Sequence, residues 1–160
     1  MRWFSKVWKK FSMKDEPMAS PEIIAAVNQL VSVASSMSPT RRLPSIEYIG
    51  NIEKVIGVKF SDDYKYFLLK VGRIDHGVIE PCTLFPEDGH TYLIEVHKDA
   101  KQLHGFPENS IPICQDNGDY YLLTRNGNVV FWSHNGTTNE SWATLAEWIK
   151  EVWILESNKR

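Results

Sequence analysis

Residues 111–133 read IPICQDNGDYYLLTRNGNVVFWS, and this stretch decides the fold class. Three short runs, 111–114, 120–124 and 129–133, are rich in β-branched and aromatic residues and read as strands. Turn residues separate them. Asn126-Gly127, between the last two, is a strong signal for a type I′ hairpin, because both central positions of that turn need positive φ. Strands joined by tight turns pair antiparallel.

The flanks add helices. Downstream, Trp142, Leu145, Trp148, Ile149 and Val152 supply the core face of a closing helix from about residue 141. Upstream, 78–84 and 91–96 are candidate strands, split by the turn residues Pro86, Glu87, Asp88 and Gly89. A short helix is predicted over 98–104, ending at Gly105. Before these, Ser45 suits an N-cap, and Ile46, Ile49, Val55 and Ile56 carry a helical stripe to Gly57. Ser61 caps a second helix, with Asp62 and Asp63 in its first turn. Its Tyr64, Phe67, Leu68 and Val71 recur at i, i+3, i+4 and i+7, the spacing of a buried face. The class is α+β: a largely antiparallel, mixed sheet of about five to six strands, packed with helices.

The first 44 residues differ in kind. Trp3, Phe4, Val7, Trp8 and Phe11 fall at helical spacing, with Arg2, Lys6, Lys9 and Lys10 on the remaining face. Such a stretch fits a weak contact of residues 1–11 with an anionic membrane, or docking on protein. A connector follows, and then Ser20 caps a helix that has Pro21 at its first position. Ile23, Ile24, Val27, Leu30 and Val31 form its apolar stripe, and Pro39 stops it. Charge changes sign near Pro44. Residues 1–44 hold seven basic against three acidic side chains, and 45–160 hold eleven against seventeen. The expected organisation is therefore 1–44 as a basic segment, helix and linker, and 45–160 as the main domain.

An acidic body repels nucleic acid and attracts basic partners. Only two cysteines, Cys82 and Cys114, stand in 160 residues, and they form no Cys-x-x-Cys pair. That usage suits buried thiols in a reducing compartment, so a cytoplasmic location is expected. No secretory leader or integral membrane segment is read. The five histidines show no ligand spacing, so no metal or other cofactor is expected. Nucleophile elbows and phosphate-binding glycine loops are missing as well, so no catalytic residue is named. The carboxylate pairs Glu87/Asp88 and Asp116/Asp119 sit in turns, where Asp is favoured for local hydrogen bonds.

The stretch from Ile52 to Leu69, IEKVIGVKFSDDYKYFLL, resembles the opening motif of the SUKH superfamily. That superfamily includes fungal cell-wall-synthesis regulators and many bacterial immunity proteins. Ile56 stands where the family favours Leu, and Ser61 where it favours Pro. Val71-Gly72-Arg73 is a weaker match to the Asn-Gly-Gly that often follows. Phe106-Pro107, Ile111-Pro112-Ile113 and Asp116 to Leu122 are similar to the family's strand region. Gly127 to His134 and Trp142 to Trp148 match its next strand and last helix. The resemblance covers about residues 46–155. Gly57, Tyr64, Phe67, Gly118, Asp119 and Trp132 fit the pattern and read first as fold-determining.

The resemblance implies a non-enzymatic immunity protein that neutralises a secreted or contact-delivered toxin domain, often a nuclease. A nuclease carries a cationic groove, which an acidic protein can cover. The expected partner is that basic toxin domain, not nucleic acid. The exposed turns are the natural contacts: Asp75, His76 and Glu80, then Glu87 and Asp88, then Asp116, Asp119 and Tyr120. A regulatory scaffold of the same fold, binding a cellular partner, is the alternative.

Overall fold

The computed structural model describes residues 16–34, 36–37, 42–136 and 138–156. The predicted helix over residues 1–11 lies outside the described residues. The element order is α1 (Pro21–Val33), β1 (Ser36–Met37), α2 (Ile46–Ile56), α3 (Asp62–Lys70), β2 (Ile74–Asp75), a 3-10 turn (Pro86–Thr91) and α4 (Leu93–Lys101). Then come β3 (Ile111–Asp116), β4 (Asp119–Leu123), β5 (Val129–Trp132), β6 (Ser141–Trp142) and α5 (Leu145–Trp148), which runs on as π-helix through Ile149–Leu155.

The helix starts follow their caps. Ser20, Ser45 and Ser61 each accept a hydrogen bond from the backbone N–H three residues on, which satisfies one orphan donor per helix. Ser20 does more. Its N–H and Oγ–H donate to the two carboxylate oxygens of Asp63, at 2.8 and 2.7 Å. Asp63 thus serves α3's positive end and also anchors the start of α1. Ile23, Ala26, Val27 and Leu30 on α1 are sealed into the same core as α2, α3 and the sheet. α1 packs on α3, α5 and the π-helical turn.

β3-β4-β5-β6 form an antiparallel sheet of four strands, and β1 and β2 pair separately. The sheet is therefore smaller than the five to six strands expected. Among the described residues every ladder is antiparallel, and the parallel pairing is one isolated bridge, Thr83↔Tyr92. The expected strand over 78–84 makes only isolated bridges. Pro81, which pairs with Cys114, has no N–H to extend a ladder. The expected strand over 91–96 is replaced by α4, which starts at Leu93 and ends at Lys101, earlier than the predicted 98–104 helix. Leu93, Val96, His97 and Ala100 are its buried residues, a helical stripe that outweighs β-propensity. Ser141 and Trp142 pair with Val130 and Val129 as β6, so the closing helix begins only after its cap, Thr144.

The β3–β4 and β4–β5 hairpins use Asn-Gly differently. In the β4–β5 loop only Gly127 has positive φ (87°), so the expected type I′ turn at Asn126-Gly127 is not formed. The Gly127 N–H donates to the Thr124 carbonyl, and the Thr124 N–H to the Asn128 carbonyl, closing a wider loop. The type I′ pattern falls instead at Asn117 (φ 51°) and Gly118 (φ 89°), the two residues between the paired Asp116 and Asp119.

Candidate partner-binding surface

The tight β3–β4 turn sets Asp116 directly opposite Asp119. Like charges facing each other across a ladder repel, so both carboxylates need partners. Asn117 Nδ2 donates to Asp116 Oδ1 at 3.0 Å. His134 Nδ1 lies 2.9 Å from Asp119 Oδ1. The tip remains a concentration of negative charge in solvent.

Beside it lies a groove of about 750 Å³ between the 78–80 segment and the hairpin. Val78, 65% exposed, stands at this groove and supplies apolar area. Glu80 and Asp116 line it from opposite segments. His90 Nε2 contacts Glu80 Oε2 at 2.7 Å, and Gln115 Nε2 donates to the His90 carbonyl at 2.9 Å. These two bonds join the 3-10 turn, the 78–80 segment and β3. Cys114 is also part of the lining, but its residue is only 1% exposed. Burial pushes its thiol up to about 12, so it offers no thiolate nucleophile at neutral pH. Burial also raises the Cys82 thiol, and both cysteines are free.

The structure sorts the sequence-named contacts. Glu80 and Asp116 share the groove, with Asp119 at the adjoining tip. Glu87 and Asp88 stand on the 3-10 turn, outside its lining. Glu87 pairs with Arg42 at 3.0 Å, and Arg42 also covers the Phe85 ring. Asp88 faces Arg73 at 3.9 Å. Asp75 pairs through its backbone with Ser36 in the β1–β2 ribbon. His76 is turned inward: its carbonyl accepts from Trp153 Nε1 at 3.0 Å, and its Nε2 is buried. Tyr120 is 6% exposed and packs on Trp132, so it offers a partner almost no area. Sequence reasoning did not find Val78, His90, Gln115 or His134. The Asn117-Gly118 turn signal pointed to the tip, but no local pattern announced which distant residues would meet it.

Among the described residues, no three His, Cys, Asp or Glu side chains are placed to hold a metal. No described helix is long and apolar enough to cross a membrane.

The family profile described as SMI1-KNR4 cell-wall, a SUKH group, matches residues 22–154. The chain belongs to the SUKH superfamily. The family match takes in α1, which the motifs from Ile46 onward do not reach. The chain is also similar to a solved structure described as a protein from Pseudomonas syringae pv. tomato. The TM-score is 0.73 at 35% identity, over 81% of this chain and 97% of that one. No curated protein matches the chain. The SUKH fold assigns the helices and the β3–β6 sheet a shared architecture, and an SMI1/KNR4-like domain is a fold rather than an activity.

Proposed function

We propose that this SUKH protein is a non-catalytic cytoplasmic immunity protein that binds and neutralises a basic toxin domain, with a nuclease as the best match to its charge. The observation that carries the reading is the groove beside the β3–β4 tip. It puts Glu80 and Asp116 around exposed Val78, with Asp119 adjoining, on a domain whose residues 45–160 hold seventeen acidic against eleven basic side chains. An apolar contact flanked by two carboxylates suits a cationic protein surface: the charges speed encounter and the apolar contact holds. Glu87 and Asp88 extend the acidic surface as secondary contacts, already balanced by Arg42 and Arg73.

The test is capture of the cognate toxin domain and loss of that toxin's activity. Glu80→Lys with Asp116→Lys should weaken capture by about a hundredfold or more, chiefly through slower association. Both side chains are at the surface, so melting temperature should hold within a few degrees. If the double variant still protects cells as well as the parent chain does, the groove is not the contact. Binding to a cellular regulator with no effect on any toxin would favour the scaffold alternative.

A further inference from the structure

We propose that a hollow between the α2–α3 link and the end of α4 binds a small carboxylate with an apolar body. The hollow is about 320 Å³, at the small end of ligand pockets. Ile56, Val58 and Phe106 give it apolar walls, and His97, Lys101 and Asn109 give it polar groups. It shares Gly57, Val58 and Asn109 with a second hollow of about 470 Å³, which reaches Ile111 and Leu123. Those two residues pair at the opposite end of the β3–β4 hairpin from Asp116 and Asp119. The site is therefore separate from the acidic groove, and it stands whether or not that groove takes a toxin.

His97 is the residue that points to a ligand. It belongs to the buried stripe of α4 and is 6% exposed. Its ring meets Phe106 edge-on, with centroids 6.3 Å apart. Among the described residues neither ring nitrogen has a hydrogen-bond partner, and neither is sealed from solvent. The small accessible part of the imidazole thus turns polar atoms to the hollow. A polar group so nearly buried costs free energy without a partner, and a bound ligand would supply one. Burial, and then the nearby Lys101 ammonium, hold the His97 pKa below its ordinary value. The ring is therefore neutral at pH 7 and offers one N–H and one lone pair. Lys101 and Asn109 bring further donors to the same hollow. Lys59 and Arg125 line the adjoining one. None of the three cations has an ion-pair partner among the described residues. Glu108 is the one carboxylate in the two linings, and it is exposed. Surplus donors and positive charge beside apolar walls select an anion joined to an apolar body.

The experiment follows the His97 ring C–H signals of the full chain by NMR during titration with benzoate, benzyl alcohol and acetate. Benzoate should shift them with a Kd of about 1 mM or tighter. Benzyl alcohol lacks the charge and acetate lacks the ring, so each should bind at least about tenfold more weakly. Saturating benzoate should also move the His97 titration up toward the ordinary imidazole range, because a nearby carboxylate favours the charged ring. Lys101→Gln and Asn109→Gly should each weaken benzoate by about threefold to tenfold. Both should leave the melting temperature within a few degrees: Lys101 is exposed, and Asn109 has positive φ (59°), which glycine accepts. Benzoate that leaves the His97 signals in place overturns the proposal. Equal binding of benzyl alcohol would make the hollow merely apolar, and equal binding of acetate merely cationic; either result overturns it. Benzoate binding unchanged in both variants overturns it too.

Discussion

Asp119 and Tyr121 lie two residues apart on β4 and belong to two physical regimes. Tyr121 joins an aromatic seam. Its ring lies 5.0 Å from Phe131, 5.8 Å from Trp142 and 5.3 Å from Trp148. From Trp148 the seam continues through Trp153, Phe67 and Tyr64 to Phe60, in steps of 5.0 to 6.1 Å. Each ring touches the next, so the seam ties β4 to the π-helical turn and to α3. Asp119 stands at an exposed tip opposite another carboxylate. One region is held by many mutually supporting contacts. The other places two like charges where a stability-optimised hairpin would have opposite ones. That contrast makes the tip the place to test for a role beyond folding.

The sharpest way to break the comparison is at the seam. Trp153 is 0% exposed, touches Phe67 and Trp148, and donates its Nε1 hydrogen to the His76 carbonyl. Trp153→Ala should cost about 3–5 kcal/mol, from lost transfer, the cavity and an unpaired carbonyl. The midpoint of urea unfolding measures it. A loss below about 1 kcal/mol would mean that the seam is not the domain's main support.

A smaller effect comes from the thiols beneath the sheet. Burial pushes Cys114 up to about 12 and raises Cys82, with the nearby Cys114 adding to the second shift. Burial likewise takes Tyr121 up to about 12. Below the ordinary thiol range both folded and unfolded chains keep their protons. Above it, and up to about 12, the unfolded chain ionises first. Stability should therefore be full at neutral pH and fall as pH rises through that window. Between about pH 8 and about pH 10 the loss from Cys114 should be on the order of 1 kcal/mol, and Cys82 adds to it in the same direction. Thermal melts across the window check it, and Cys114→Ala should flatten the slope. A melting temperature that does not change over this range would contradict the burial of these thiols.

The same contrast explains what was legible in the sequence. Ser20, Ser45 and Ser61 announce helix starts because capping is local chemistry within three residues. Strands β3, β4 and β5 are legible because their apolar runs are bounded by turns. The β1–β2 ribbon is not, since two residues per strand carry no periodicity. Leu93 to Val96 misleads because a short apolar run satisfies strand and helix templates alike. Tyr120 looks like a surface residue beside Asp119, yet the sheet is covered where it points, and only tertiary packing decides that. Glu80 and Asp116 are legible as acidic turn residues. Their meeting across a groove with Val78 and His90 depends on contacts between segments far apart in sequence, to which local pattern is blind.

The smallest expected effect is the most diagnostic for the tip. Asp119→Asn keeps an acceptor for His134 Nδ1 and removes one of the two facing charges. A hairpin relieved of like-charge repulsion should gain a few tenths of a kcal/mol, within the range of cross-strand pairs. The gain should shrink as salt rises, because the tip is exposed and screened. If the tip serves a cationic partner, the same change should weaken binding while it strengthens the fold. Opposite signs in the two measurements would mean that Asp119 is retained for contact at a cost to stability. If Asp119→Asn destabilises the hairpin instead, its bond to His134 outweighs the repulsion, and the tip belongs with the seam as part of the fold's own support.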